Sequence, residues 1–147
     1  MAKEKYAIAT WAGDMRFDAE SGVGHTHITL DGDGLAGPSP MDVLLAGLAG
    51  CTGIDVVSTL AKMRQQVTGL RIEVHGSRAD DDPMVYTAIT VAYVLTGHGL
   101  EDAKVRRAIE LSETKYCSVG ATLARTATIT WTYRLEAVED PASGAPA

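Results

Sequence analysis

The sequence carries only two cysteines in 147 residues, and no CxxC pair. That spacing gives no zinc clip, and in a reducing compartment Cys51 and Cys117 are not expected to form a permanent structural staple. They are two free thiols or a redox pair. Basic clusters are also missing: 13 Lys and Arg are scattered against 19 Asp and Glu, for a net charge of -6. This excludes the electrostatic footprint of a nucleic-acid or anionic-membrane binder. The N-terminal MAKEKYAIAT has charges but no apolar core behind them, so no secretory signal is expected and the protein is read as cytoplasmic. No phosphate loop or dinucleotide fingerprint occurs.

What remains is 46% hydrophobic and 22% charged residues, the balance of a globular chain. A single domain is expected over residues 1–137, with 138–147 as a disordered tail. Three short extended pieces open the chain, from Tyr6, Met15 and His25. In HTHITL, His25, His27 and Thr29 share one face and Thr26, Ile28 and Leu30 the other, the period of a half-buried strand. The two histidines read as a solvated face rather than half of a metal site. DGDGLAGPSP then breaks the meander, and its DGDG is a turn lacking the other ligands of a calcium loop.

A long helix follows. Ser39 is a good N-cap, Pro40 suits the first helical position, and Asp42 places its charge at the positive helix end. The run from Met41 to Arg64 would span about 36 Å, enough to consider a membrane crossing. Asp55 and the small residues Ala46, Gly47, Ala49, Gly50 and Gly53 argue against one, and the helix is expected to be mostly buried. Three glycines inside a helix imply close approach by another element, either within the chain or from a second subunit. Two strands over Leu70 to Gly76 and Val85 to Leu95, an amphipathic helix from Leu100, a turn with a short helical segment at KYCSVGATLA, and a last strand in TATITWTYRLEA complete the chain. The order βββαββαβ predicts an α+β sandwich.

A lone buried cysteine is usually a small hydrophobe. Here Cys51 lies mid-helix among small residues, and Cys117 lies in a polar segment expected to leave its sulfur accessible and mobile. GPSPMDVLLAGLAGCTGIDVV and LSETKYCSVGATL, within this element order, resemble the osmotically inducible protein C and organic hydroperoxide resistance family from about Tyr6 to Glu136. The resemblance implies an intertwined homodimer with two sheets wrapped around a long central helix. It also implies a thiol peroxidase: Cys51 attacks an organic hydroperoxide, Cys117 resolves the sulfenic acid as a disulfide, and a thiol or dithiol reductant closes the cycle. No metal or other cofactor is implied. In the best-known branch an arginine held by a glutamate activates the thiol. Arg16 is the nearest counterpart, but Met41 stands where that glutamate would be, leaving Asp42, displaced by one, and Asp55, four residues after Cys51, as candidate orienting acids. Two rivals stand beside this reading: a non-catalytic binding protein for a small apolar ligand, and a cysteine acyltransferase with His75 or His98 as base.

Overall fold

The computed structural model describes residues 3–138; the tail expected to be disordered lies outside the described residues from 139 onward. The elements are β1 (Ala7–Trp11), β2 (Arg16–Ser21), β3 (Thr26–Asp31), α1 (Pro40–Lys62), β4 (Gln66–Arg78), β5 (Tyr86–His98), α2 (Asp102–Leu111), a π-helical turn (Ser112–Tyr116), α3 (Ser118–Leu123) and β6 (Thr128–Ala137). This is the expected α+β order, with the short helical segment expected in KYCSVGATLA present as α3 and the turn before it π-helical. The chain forms two compact units that divide between Leu44 and Leu45.

The first unit is an antiparallel meander in the order β1-β2-β3. Its register pairs Trp11 with Phe17, Phe17 with Leu30, and Ala19 with Ile28, so these side chains line one apolar face as the alternation predicts, but that face is exposed rather than buried, with Trp11 at 66% and Ile28 at 45%. The other face is polar. There His27 Nδ1 lies 2.9 Å from Asp18, and His25 Nδ1 lies 2.7 Å from Glu20. His25 itself sits in the turn with φ 49°, one residue before the strand. Asp31 closes the DGDG loop by accepting the backbone N–H groups of Asp33, Leu35 and Ala36 at 2.9, 3.2 and 2.9 Å. Those donors, Ala36 foremost, hold its carboxyl below the usual range.

The start of α1 forms as its residues dictate. Asp42 N–H donates to Ser39 Oγ at 3.2 Å, while Asp42 Oδ2 accepts from Ser39 N–H at 3.2 Å and Ser39 Oγ–H at 2.7 Å. This reciprocal cap satisfies helix-end donors with an acid at the positive pole.

In the second unit β5 is central, antiparallel to β4 and parallel to β6. A parallel pair needs a crossover, and α2, the π turn and α3 supply it. The core gathers Tyr86, Ile89, Val91, Tyr93 and Leu95 of β5, Val105, Ala108 and Ile109 of α2, and Leu48, Val56 and Leu60 of α1. Tyr133 of β6 anchors the crossover, donating to Asp102 at 2.7 Å with Arg106 over its ring.

One expectation fails. α1 is not mostly buried: only the i+4 stripe Leu48, Thr52, Val56 and Leu60 is, while Ile54 is 72% and Val57 49% exposed. The glycines divide in the same way. A Cβ on Gly53 would come within 3.1 Å of the Ile72 Cδ1, so the chain's own packing is tight there, whereas one on Gly47 or Gly50 meets nothing within 4 Å.

Candidate active site

The fold brings three of the singled-out residues together. The Cys51 and Cys117 sulfurs and an Asp55 carboxylate oxygen all lie within 4.8 Å of one another. α1 supplies Cys51 and, one turn on, Asp55, which therefore share a face. The crossover supplies Cys117, the residue between the π turn and α3. Both thiols are free. The trio is one donor short of a closed tetrahedral zinc site, and a thiol pair performs two-electron chemistry with no added group.

Burial reverses one expectation. Cys117, expected to be the accessible and mobile sulfur, is only 6% exposed, and Cys51 is the half-buried one. The reason is local: Cys117 caps α3, its sulfur accepting Gly120 N–H at 3.3 Å. Burial first, then the adjacent Cys51 sulfur and the Asp55 carboxylate, push the Cys117 thiol up to about 12, with Gly120 N–H pulling the other way. Cys117 is held as a thiol.

Behind the sulfurs runs a row of polar groups that sequence reasoning missed. Ser112 Oγ donates to Asp55 Oδ2 at 2.9 Å and bonds Thr52 Oγ1 at 2.7 Å; Thr52 Oγ1 bonds the Tyr93 hydroxyl at 2.6 Å, and that hydroxyl meets Glu113 Oε1. Thr52 and Ser112 are fully buried. Burial raises both the Tyr93 hydroxyl, with Glu113 adding to the effect, and the Glu113 carboxyl. The π turn is what aims Ser112 and Glu113 at this row, a common role for such turns at functional sites. The signal available in the sequence was a threonine at the apolar period of α1, four residues from Leu48 and from Val56.

The remaining candidates have local partners within the first unit. Arg16 begins β2, half-exposed, with its guanidinium 3.7 Å from Asp14 and close enough to Asp31 to act on its carboxyl. Asp42 is engaged in the helix cap.

Residues 31–132 match the family of OsmC-like proteins. Protein YhfA of Escherichia coli K12 is 40% identical over 132 residues, spanning 89% of this chain and 98% of that protein. A hypothetical protein from Aquifex aeolicus superposes with a TM-score of 0.79 at 29% identity, covering 92% of this chain and 99% of that one. The organic hydroperoxide resistance protein OhrB of Bacillus subtilis shares the fold, with a TM-score of 0.62 at 16% identity over 89% of this chain and 98% of its own. With the family matched across most of its length and the cysteine-bearing segments inside the match, the chain belongs to the OsmC-like protein family.

Proposed function

We propose that the protein is a thiol peroxidase that reduces organic hydroperoxides to alcohols in oxidative-stress defence, with Cys51 as the attacking and Cys117 as the resolving thiol. The observation that carries this is the pairing of two free thiols, one half-buried and one buried, from α1 and from the crossover. A peroxide can reach the half-buried sulfur first. Attack by the Cys51 thiolate on the distal oxygen forms S–O, breaks O–O and leaves a sulfenic acid; the Cys117 thiol then condenses with it, releasing water. A small dithiol or protein thiol returns both to the reduced state. Arg16 is the candidate cation for the Cys51 thiolate by family resemblance, and Asp55 is the acid beside the sulfurs.

A second copy of the chain is the expected partner. The outward face of α1, with Ile54 and Val57, joins Gly50, Gly53, Leu70 and Ile72 around an apolar recess of about 650 Å³. Exposed apolar surface of this kind marks an interaction site. Gly50→Arg is expected to yield a monomer by analytical ultracentrifugation, and a dimer unchanged by it would remove this assignment. The same recess favours the second reading, a binding module for an apolar ligand.

Stopped-flow oxidation separates the two readings. Reduced protein should lose two thiols per chain rapidly to cumene hydroperoxide and more slowly to hydrogen peroxide. Cys51→Ser should abolish turnover, and Cys117→Ser should stop at the sulfenic acid. A Cys51→Ser protein that still turns over, or thiol loss at the rate of a free thiol, would sink the peroxidase.

A further inference from the structure

The row Asp55, Ser112, Thr52, Tyr93, Glu113 contains four hydrogen-bonded links, and the three hydroxyls between the carboxyls carry one proton each. Four links need four protons. An ionised carboxylate only accepts, so with both ends ionised one pair of oxygens would face each other with no hydrogen between them. Thr52 and Ser112 are sealed from solvent. A row in which all four links carry a hydrogen therefore holds its fourth proton on one of the two carboxyls.

We propose that this row is a proton relay, Glu113 to Asp55 through Tyr93, Thr52 and Ser112, that delivers to the thiol pair the proton the departing alkoxide needs. The inference rests on the peroxidase reading. With the fourth proton on Glu113, its Oε1–H donates to Tyr93 in place of the Tyr93-to-Glu113 donation that an ionised Glu113 accepts, and Tyr93 then donates to Thr52, Thr52 to Ser112 and Ser112 to Asp55. Burial of Glu113 raises its carboxyl against the lowering pull of the Tyr93 hydrogen bond, which favours that polarity. The ionisable groups facing the relay are the Cys51 and Cys117 sulfurs at the Asp55 end and Tyr93 at the Glu113 end; Lys62 lines the same surface recess as Asp55. Among the described residues no salt bridge holds either carboxyl. One proton hop along each link reverses every bond, leaving Asp55 neutral and Glu113 ionised with the heavy atoms in place.

The chemistry balances. The Cys51 thiol releases its proton to solvent on ionising; its thiolate forms the S–O bond as O–O breaks, and the alkoxide takes the proton of Asp55. Glu113, half-buried at the other end, recovers a proton from solvent. The Cys117 proton leaves later with the sulfenic hydroxyl as water. Asp55 is thus the proton donor, and Thr52, Ser112, Tyr93 and Glu113 act through it.

Glu113→Gln is the discriminating variant, because an amide N–H can still donate to Tyr93 and keep all four links while having no proton to give. Wild type at neutral pH should show the infrared carbonyl stretch of one protonated carboxyl that Glu113→Gln lacks; Ser112→Ala, which needs no fourth proton, should lack it too. In stopped flow, the rate of Cys51 oxidation by tert-butyl hydroperoxide relative to peracetic acid, whose carboxylate leaving group needs no proton, should fall about a hundredfold in Glu113→Gln, the scale of general-acid catalysis. A wild-type spectrum without the protonated carboxyl would overturn the relay and leave the peroxidase standing. So would an unchanged ratio of the two rates in Glu113→Gln. Wild-type thiols no faster than a free thiol with tert-butyl hydroperoxide would instead sink the peroxidase reading, and the relay's use with it.

Discussion

Thr52→Val replaces a hydroxyl by a methyl at a position with 0% exposure, between bonds of 2.6 Å to Tyr93 and 2.7 Å to Ser112. Shape and volume are kept, so no cavity opens. Both links are lost, each with a net worth of about 0.5–1.5 kcal/mol. The neighbours are not orphaned: Ser112 retains Asp55 and Tyr93 retains Glu113. Burying a methyl in place of a hydroxyl returns roughly 1 kcal/mol of that loss. The expected result is a net destabilisation of about 1 kcal/mol, a fall of about 3 °C in Tm for a chain of this length. Urea unfolding at fixed protein concentration measures it, since an associating chain changes apparent stability with concentration. Tyr93→Phe removes two links at once and leaves Glu113 half-buried without its partner, so it should lose more than Thr52→Val. In the double mutant the shared bond can be lost only once, and the cycle should show a coupling of about 1 kcal/mol. A Thr52→Val protein as stable as wild type, with zero coupling to Tyr93→Phe, would refute both the hydrogen bonds and the relay built on them.

Raising pH should destabilise the protein through Cys117. Its thiol is held up to about 12 when folded, so the folded state binds more protons than the unfolded state between the ordinary thiol range and that value. Stability is full below that window and falls as pH rises through it; denaturant titrations of Cys117→Ser should lose this part of the slope, and a slope identical to wild type would contradict the burial described here. Asp31 acts with the opposite sign. Its depressed carboxyl contributes stability above the ordinary carboxylate value that is lost as pH falls, and Asp31→Ala, which strands three loop N–H groups, should flatten the acid side of the profile. Arg64, just beyond the end of α1, has φ 60°, a conformation that favours glycine. Arg64→Gly is expected to raise stability by about 1 kcal/mol by thermal unfolding, and a loss would argue against the left-handed turn.

What the sequence could and could not reveal follows from the range of each interaction. Ser39, Pro40 and Asp42 announce the start of α1 because capping is settled within four residues, and the strands of the meander announce their faces because register repeats every two. The meeting of Cys51 with Cys117 was legible only as a resemblance, since it depends on how a crossover closes over β5. Their relative burial differs from the expected one for a local reason: the polar neighbours of Cys117 suggest an exposed turn, but Ser112 and Glu113 face the buried row, Thr114 turns back to the Glu110 carbonyl, and the sulfur itself caps α3. Likewise Thr52, Ser112 and Tyr93 each look unremarkable in their own segments. A threonine is tolerated in a helix, a serine follows a helix end, and a tyrosine suits a strand. Only when three elements converge do their hydroxyls share one buried row. The proton count then follows from the number of links, a property of the row that none of its residues has alone. Residues whose chemistry is collective are therefore the ones a pass along the chain overlooks, and here they lie directly behind the pair it found.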